Sequence, residues 1–166
     1  MIHGFYYETP IGRVGIAEEN GALTNVFFGN TVRPDVFDME ESPLLKRAAA
    51  QISQYLAGRR RDFDLPLSPQ GTLFQLAVWT ALQTIPYGQT RSYAQIAAQI
   101  DKPAASRAVG RANALNPLSL LVPCHRVIGA AGDLVGYAGG LALKRRLLAL
   151  EREGGPIAAQ GVTEAG

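Results

Sequence analysis

The chain has 166 residues, of which 47% are hydrophobic and 18% are charged, and its formal net charge is +2. This length allows a real hydrophobic core and suits one average domain or two small ones. One cysteine and two histidines exclude an internal disulfide and a closed zinc site of four Cys or His ligands. The sequence has no secretory signal pattern and no apolar run of the ~18 residues that a membrane span needs. We expect a soluble cytoplasmic protein without metal or cofactor.

Charge is distributed unevenly along the chain. Residues 1–69 contain seven basic and nine acidic residues, a net charge of −2, whereas residues 70–152 contain nine basic and three acidic residues, a net charge of +6. A basic region joined to a mildly acidic one is the pattern expected of a protein that binds a polyanion. The second region is therefore the candidate nucleic-acid interface.

The first 65 residues predict a small α+β unit that begins with three strands, at residues 2–7, 12–17 and 22–28. Pro10 marks the turn between the first two strands. Asn20-Gly21 is the strongest hairpin signal in the chain, because both residues tolerate the positive φ angles of a type I′ turn.

A helix is predicted to follow these strands, with Ser42 as its cap, Pro43 in its first turn and Gly58 at its end. Its apolar residues recur at helical spacing: Leu44, Ala48, Ile52 and Leu56. Residues 60–65 could add a further strand, and residues 66–71 are typical of a linker. Nothing in this unit indicates chemistry.

From Thr72 the pattern becomes helical. Thr72 and Gln75 are spaced as a capping box, and one apolar face contains Phe74, Ala77, Val78, Ala81 and Leu82. Ser92 and Gln95 form a second capping box, which opens a helix that we expect to end near Ile100. A turn at residues 101–103 and a helix at 104–114 would complete a helix-turn-helix, although a plain helical hairpin has the same pattern.

The second of these helices is almost free of bulky side chains except for Arg107. Helices that read bases in the major groove usually present several polar side chains, whereas small residues permit close approach of the backbone to DNA. The helix could therefore enter the minor groove with Arg107 directed toward the base stack. Tight helix packing, with Arg107 solvated, is the alternative.

Pro123-Cys124-His125-Arg126-Val127 contains the sole cysteine beside one of the two histidines, directly after the apolar run 118–122. The thiolate is the nucleophilic form of cysteine, and basic neighbours such as His125 and Arg126 favour it. A free cysteine that serves as a small core residue is the alternative.

Taken together, these residues resemble the O6-alkylguanine-DNA alkyltransferases, also called methylated-DNA-protein-cysteine methyltransferases. The resemblance covers residues 70–152 and rests on ordered motifs, namely Ile85–Thr90, Ser92-Tyr93, Arg107–Gly110, Asn113 to Asn116-Pro117, Pro123–Val127, Gly136–Gly140 and Lys144 to Glu151. It implies an α+β chain with a small RNase H-like N-terminal domain at 1–65, a linker at 66–71, a mostly helical DNA-binding and alkyltransferase domain at 72–152 and a flexible tail at 153–166. The helical domain would contain the helix-turn-helix.

The resemblance also implies roles for single residues. Cys124 would accept the alkyl group, His125 would act as its base through a bridging water, and Glu151 would orient His125. The water is needed if both residues lie on a strand, where adjacent side chains point to opposite faces. Tyr93 would protonate the departing guanine and meet the neighbouring phosphate, and Arg107 would fill the gap that the flipped nucleotide leaves.

Other residues are implied as contacts of DNA or of the base. The DNA-contacting helix would contribute Ala105, Ser106, Ala108 and Gly110. Asn116 would tie the helix-turn-helix to the active-site turn. The base pocket would include Asn116 together with Ser119, Val127, Tyr137, Ala138 and Gly139. Ala138 stands where many members have serine, and Ser119 where some have proline, so the range of alkyl groups accepted stays open.

Several of these residues have simpler structural interpretations. Tyr93 could be a half-buried core residue, and Glu151 could pair with Lys144 or Arg152 on its own helix. Gly139-Gly140 could be only a loop, and we interpret Arg126 as structural rather than catalytic.

Transfer of an alkyl group to a thiol leaves a thioether, which does not hydrolyse, so the protein would act once. The target base must first leave the duplex at a cost of a few kcal/mol. The expected partner is double-stranded DNA that contains O6-alkylguanine, bound by a monomer or by several copies side by side. The alternatives are a cysteine hydrolase, a protein that binds alkylated DNA without repair, and a sequence-reading regulator.

Overall fold

The computed structural model describes residues 2–29 and 38–159. Its N-terminal part contains an antiparallel sheet of three strands in the order β1 (His3–Thr9), β2 (Gly12–Glu19) and β3 (Ala22–Phe28). Asn20 and Gly21 form the turn between β2 and β3 with φ angles of 54° and 79°. These angles are the ones that a type I′ hairpin requires, so the predicted hairpin is confirmed.

Helix α1 (Pro43–Leu56) packs against this sheet. Its N-terminus is capped as predicted, because the Ser42 hydroxyl accepts a hydrogen bond from the Leu45 amide at 3.2 Å. The buried face is wider than the predicted stripe and comprises Leu45, Ala48, Gln51, Ile52, Tyr55 and Leu56. Leu44, which the prediction placed in the stripe, is only partly buried.

The strand predicted at residues 60–65 does not form. The Gln51 side chain binds the backbone of Asp64 on both sides, donating to its carbonyl at 3.2 Å and accepting from its amide at 2.9 Å. These backbone groups are therefore not available to a neighbouring strand. Pairing with the sheet occurs just afterwards, where Leu23 donates to the Pro66 carbonyl and accepts from the Ser68 amide, both at 2.8 Å.

The C-terminal part contains four α-helices, of which α2 (Leu73–Leu82) comes first. Its predicted capping box is confirmed: the Gln75 amide donates to the Thr72 hydroxyl at 3.1 Å, and the Thr72 amide donates to the Gln75 side chain at 2.9 Å. The buried Trp79 donates its indole N–H to the Ala112 carbonyl at 2.8 Å and so joins α2 to a later helix.

The helix-turn-helix consists of α3 (Tyr93–Gln99) and α4 (Ser106–Ala114). The second predicted capping box, Ser92 with Gln95, is present at the start of α3. Helix α4 begins two residues later than expected, because the Ala105 amide closes a turn on the Lys102 carbonyl at 2.9 Å.

The two short strands β4 (Arg91–Ser92) and β5 (Val127–Ile128) pair in parallel. Since β4 directly precedes α3 and β5 directly follows Arg126, this pairing holds the start of the helix-turn-helix beside the segment that contains the cysteine. Helix α5 (Leu141–Glu153) completes the fold. The buried apolar side chains of both parts form one continuous core.

Two features concern the chain beyond these elements. The tail expected to be flexible from residue 153 is packed at Ile157, which is buried and donates to the Leu56 carbonyl at 2.8 Å. The remainder of that tail, residues 160–166, lies outside the described residues. None of the helices in the described part is long and apolar enough to cross a membrane.

Candidate active site

Cys124 is 3% exposed and begins a single turn of 3-10 helix, Cys124–Arg126. The expectation that Cys124 and His125 lie on a strand is therefore wrong. The turn forms because the Arg126 amide bonds the Pro123 carbonyl at 3.0 Å, an i to i+3 hydrogen bond. With about three residues per turn, consecutive side chains still point in different directions, so the two do not face each other directly.

His125 is completely buried, and its Nε2 lies 2.7 Å from Oε2 of Glu151 on α5. Because a carboxylate only accepts hydrogen bonds, Nε2 must carry the proton in this contact. The other ring nitrogen, Nδ1, is buried and has no hydrogen-bond partner among the described residues. In this tautomer Nδ1 has a free lone pair and can act as a base.

Several donors converge on the Glu151 carboxylate. Arg126 binds both of its oxygens, Oε1 through Nε at 2.8 Å and Oε2 through Nη2 at 3.0 Å. The Gly88 amide donates to Oε1 at 3.0 Å, and the Tyr55 hydroxyl donates to Oε2 at 2.5 Å. Glu151 therefore pairs with His125 and Arg126, not with Lys144 or Arg152.

These contacts decide the protonation states of the pair. Burial alone would raise the pKa of Glu151, but the hydrogen bond from His125, together with the hydrogen bonds and positive charge of Arg126, holds that pKa well below its usual range. Burial lowers the pKa of His125, and this effect outweighs the attraction of Glu151. Glu151 is thus an anion, and His125 is neutral near pH 7.

Burial raises the pKa of the Cys124 thiol. The neighbouring side chains of Asn116 and Ser119, the positive charge of Lys144 and a backbone hydrogen bond act in the opposite direction, because they favour the thiolate. The resting cysteine is therefore protonated, and a base must remove its proton before it can react.

Lys144 is itself completely buried on α5. Its Nζ donates to the carbonyls of Val127 and Val135 at 2.6 and 2.8 Å. This ammonium group thereby ties α5 to both ends of the loop between β5 and Gly136. Burial lowers the pKa of Lys144, whereas the Cys124 thiolate raises it.

Tyr93 and three of the residues predicted to contact DNA, Ser106, Arg107 and Gly110, line one cleft of about 470 Å³. The cleft is lined by Tyr93, Ser106, Arg107, Gly110, Ala114, Gly129, Val135 and Gly136. The Tyr93 hydroxyl donates to the Val135 carbonyl at 3.3 Å. Burial raises the pKa of Tyr93, and the charges of Cys124 and Asp133 raise it further. Tyr93 therefore keeps its proton, as a proton donor must.

Helix α4 presents different residues on its two sides. Arg107 and Ala108 are exposed, Ala105 and Ser106 are partly exposed at its start, and Gly110 contacts the Tyr93 ring. Val109, Ala112 and Asn113 are buried. Among the small residues of this helix, Ser106, Gly110 and Ala114 line the cleft, whereas Ala112 packs inside.

A second cleft, of about 220 Å³, brings together three of the predicted pocket residues, Asn116, Ser119 and Ala138, beside strand β3. Val127 is buried directly after the 3-10 turn. The Tyr137 ring lies 6.4 Å from that of His125, and its hydroxyl is buried without a partner among the described residues. A Cβ on Gly139 would come within 2.5 Å of the end of the Leu143 side chain, so a larger residue there would require Leu143 to move.

Asn116 does connect the two regions that the resemblance implies. Its Nδ2 donates to the Val122 carbonyl at 2.9 Å, and its Oδ1 accepts from the Leu118 amide at 3.0 Å. Asn113 adds a further link, because its Nδ2 donates to the Cys124 carbonyl at 3.3 Å.

The sequence analysis did not identify two residues of the hydrogen-bonded cluster around Cys124, His125 and Glu151, and it gave a third only a structural role. Tyr55 comes from the N-terminal unit, in which no chemistry was expected, and Lys144 was considered only as part of a motif and as a possible partner of Glu151. Arg126 was interpreted as structural, yet it binds both oxygens of Glu151. Helical spacing from Ile52 could have placed Tyr55 on the buried face of α1, but not beside Glu151.

A cation would find one set of three suitable donors among the described residues, formed by His3, Asp38 and Glu40. His3 and Asp38 already form an ion pair at 3.5 Å. This set shares no residue with the cluster around Cys124, so the chemistry of that cluster does not involve it.

Two family profiles match the chain. The DNA-binding domain of 6-O-methylguanine DNA methyltransferase matches residues 73–153, and the ribonuclease-like domain of the same family matches residues 2–69. The two matches adjoin in sequence and together cover most of the chain.

Individual proteins are similar over almost the whole length. A methylated-DNA–protein-cysteine methyltransferase of Mycolicibacterium paratuberculosis is 49% identical over 158 residues, which are 94% of this chain and 96% of that protein. The constitutive one of Bacillus subtilis is 47% identical over 152 residues, 87% of this chain and 92% of that protein. The crystal structure of Mycobacterium tuberculosis OGT in complex with DNA matches with a TM-score of 0.87 at 45% identity, covering 93% of this chain and 95% of that one.

Proposed function

This chain belongs to the 6-O-methylguanine DNA methyltransferase family, and we propose that it repairs O6-alkylated guanine in DNA by transferring the alkyl group to its own Cys124. The observation that carries this assignment is the neutral, buried pair of Cys124 and His125, with Nε2 of His125 bound to Glu151 and Nδ1 left free. Such a pair provides a thiol and a base in a site shielded from water.

DNA is the partner of this chain. The basic C-terminal region supports this, and so does the helix-turn-helix with Arg107 exposed at the cleft that also contains Tyr93. We propose that duplex DNA with O6-alkylguanine is bound through its minor groove and that the damaged nucleotide is flipped out. Arg107 would occupy the space that the nucleotide leaves, and phosphate contacts would offset the cost of unstacking.

The reaction begins with removal of the thiol proton. His125 would accept it at Nδ1 through a bridging water, because the two side chains point in different directions from the 3-10 turn. The negative Glu151 stabilises the resulting imidazolium and keeps its ring oriented. Hydrogen bonds from Asn116 and Ser119, together with the charge of Lys144, stabilise the thiolate.

The thiolate then attacks the alkyl carbon. A carbon–sulfur bond forms, the bond between that carbon and O6 breaks, and the electron pair leaves with the guanine. Tyr93 would donate a proton to the guanine ring as this charge develops. The proton that the thiol gave to His125 would then return to Tyr93, so that both side chains end neutral. The products are neutral guanine in DNA and a thioether on Cys124, so each molecule reacts once.

We further propose that Ser119, Val127, Tyr137, Ala138 and Gly139 form the base pocket. Because Ala138 has no hydroxyl, recognition of the guanine oxygen there would depend on backbone N–H groups. Transfer of a methyl group requires neither a serine at position 138 nor a proline at position 119, and reaction with bulkier alkyl groups tests the range of the pocket.

The remaining proposals concern the domain organisation, the oligomeric state and the cellular location of the protein. We propose two domains, at 1–65 and 72–152, joined by the segment 66–71, and a monomer as the reacting species. An acceptor thiol must stay reduced, which favours the cytoplasm. A cysteine hydrolase would not need the exposed Arg107 and the helix-turn-helix, and a protein that only binds the lesion would not need Cys124.

Intact-protein mass spectrometry after incubation with excess O6-methylguanine duplex tests the proposal. We expect one added methyl group, located on the Cys124 peptide, and one repaired guanine per protein molecule. Cys124→Ser should abolish transfer and retain DNA binding in a gel shift. Unmodified Cys124 after repair of more guanines than protein molecules would exclude the single-use mechanism.

A further inference from the structure

The hydroxyl of Tyr55 lies between the two partners of the His–Glu pair. It donates to Oε2 of Glu151 at 2.5 Å and lies 3.3 Å from Nε2 of His125. Tyr55 belongs to α1, whereas both partners belong to the C-terminal region. A side chain of the N-terminal unit therefore completes the hydrogen bonding of the reacting centre.

The position of this hydroxyl is determined by packing. Tyr55 is completely buried, and its ring contacts those of Phe63 at 5.4 Å and Tyr87 at 6.2 Å between centroids. Burial, followed by the charge of Glu151, raises the pKa of Tyr55 far above its usual value. The hydroxyl therefore keeps its proton and acts as a donor to the carboxylate.

This arrangement admits one tautomer of His125. Oε2 of Glu151 accepts from Tyr55, and the oxygen of Tyr55 presents its lone pairs near Nε2. A bare Nε2 would face two oxygen atoms with no proton between them. The protonated Nε2 avoids this repulsion and leaves Nδ1 as the basic nitrogen.

We infer that Tyr55 is a positioning residue of the alkyl transfer. Through its hydroxyl, the N-terminal domain fixes the His125 tautomer and partly compensates the negative charge of Glu151 that acts on His125. The inference rests on the proposed function and adds a role for the N-terminal domain. Tyr55 does not reach the reacting atoms but acts through Glu151 and His125.

Loss of the Tyr55 hydroxyl should shift the pKa of His125 in a predictable direction. The groups that face His125 are Glu151 and Lys144 from α5, Arg126 from its own turn, Tyr55 from α1 and Tyr137 from the loop before α5. Without the Tyr55 donor, the Glu151 charge is less compensated and attracts imidazolium more strongly. The pKa of His125 then rises, and more of the base is protonated at a given pH.

Single-turnover rates between pH 5 and 9 test this inference. In Tyr55→Phe we expect transfer at the acid end of this range, where protonation of His125 limits the rate, to slow by at least about threefold, the factor that corresponds to half a pKa unit. The acid limb of the rate profile should move to higher pH by roughly half a unit or more. A merely structural role would lower the rate equally at every pH.

Two matched variants serve as controls. Tyr7→Phe removes another hydroxyl of the N-terminal unit that donates to a glutamate, Glu41, at 2.7 Å. Phe63→Leu loosens the packing around the Tyr55 ring but keeps its hydroxyl. Both should retain the wild-type pH profile, and urea unfolding of all variants shows how far stability changes.

If Tyr55→Phe does not fold, a tyrosine analogue that keeps the native packing is used in its place. Site-specific 3-fluorotyrosine at position 55 has a more acidic hydroxyl and is a stronger donor, so the acid limb should move to lower pH. Nitrogen NMR of His125, assigned with His3→Gln, should show a protonated Nε2 in the wild type and a weaker preference in Tyr55→Phe.

An unshifted acid limb in Tyr55→Phe, or in the fluorotyrosine protein if the former does not fold, would overturn the inference. This failure differs from failure of the proposed function, because the wild type would still form methylated Cys124. If the wild type itself transfers no methyl group, the proposed function is at fault, and the NMR tautomer still reports on the contact of Tyr55 with the pair.

Discussion

Asn113 on the inner side of α4 donates a hydrogen bond from Nδ2 to the backbone carbonyl of Cys124 at 3.3 Å. The same helix exposes Arg107 at the cleft that contains Tyr93. Helix α4 therefore supports Cys124 with its buried face and, in our proposal, enters the DNA with its exposed face. Extrusion of the nucleotide and presentation of the thiol would thus be coupled through a single rigid element.

Arg107→Ala should separate extrusion from chemistry. We expect repair of duplex DNA to slow by about tenfold or more, because flipping costs a few kcal/mol and 1.4 kcal/mol corresponds to tenfold. Reaction with the free O6-methylguanine base should change little. The measurement is the ratio of the two single-turnover rates.

Arg111→Ala is the matched control, since Arg111 is exposed on the last turn of the same helix. It should weaken DNA binding in a salt-dependent way without changing the ratio of the two rates. Equal losses on duplex and free base in Arg107→Ala would mean that Arg107 supports the fold or the pocket instead.

Tyr93→Phe should slow transfer by roughly 10²-fold, the usual contribution of a general acid. The hydroxyl keeps its proton in the resting protein because burial raises its pKa, so it is available when guanine leaves. Stopped-flow or quench measurements of single turnover give the rate, with Tyr7→Phe as the control. A rate within about twofold of wild type would remove this role.

Ser119→Ala should slow transfer by roughly two- to tenfold, because one net hydrogen bond to the thiol is lost. The loss should be greatest where deprotonation of Cys124 limits the rate. Ser53→Ala, an exposed position on α1, is the control. If both variants react at the wild-type rate, Ser119 only fills space beside Cys124.

The stability of the protein should fall as the pH decreases below about 6.5. The folded pKa of His125 lies below its ordinary value of 6.5, so the unfolded chain binds the proton first. The loss approaches about 1.4 kcal/mol per pH unit, the slope for one proton. A further loss follows below pH 4.5, because the folded pKa of Glu151 is depressed and its stabilising contribution exists only while it is ionised.

Urea unfolding at several values between pH 5 and 7.5 measures this dependence. His125→Phe should remove the slope between pH 6.5 and 5, whereas His3→Gln, which removes the other histidine, should retain it. A wild-type stability that is constant over this range would show that His125 titrates alike in the folded and unfolded states.

Local features of the fold were predictable from the sequence. The Asn20-Gly21 hairpin, the Ser42 cap and the capping boxes at Thr72 and Ser92 all form as predicted. Each depends on hydrogen bonds or φ angles within about four residues, so the participating groups are close in any conformation of the chain. The order of motifs around Cys124 was likewise sufficient to indicate the family.

Other features required knowledge of which distant groups meet. Residues 60–65 were predicted as a strand because charged and apolar side chains alternate there. The Gln51 side chain instead hydrogen bonds to the backbone N–H and C=O of Asp64. The 3-10 turn at Cys124 replaces the expected strand because the Arg126 amide bonds the Pro123 carbonyl, while the Arg126 side chain binds the distant Glu151. Propensity does not report such competition for backbone hydrogen bonds.

The sequence by itself determined the chemistry that is possible at Cys124, because it contains one thiol, an adjacent imidazole and a basic helical region. Only the tertiary structure decided which groups control that chemistry. Tyr55 and Glu151 are 96 positions apart, yet they share a hydrogen bond of 2.5 Å. No periodicity encodes a contact of this kind, since it depends on how α1 and α5 pack around one core.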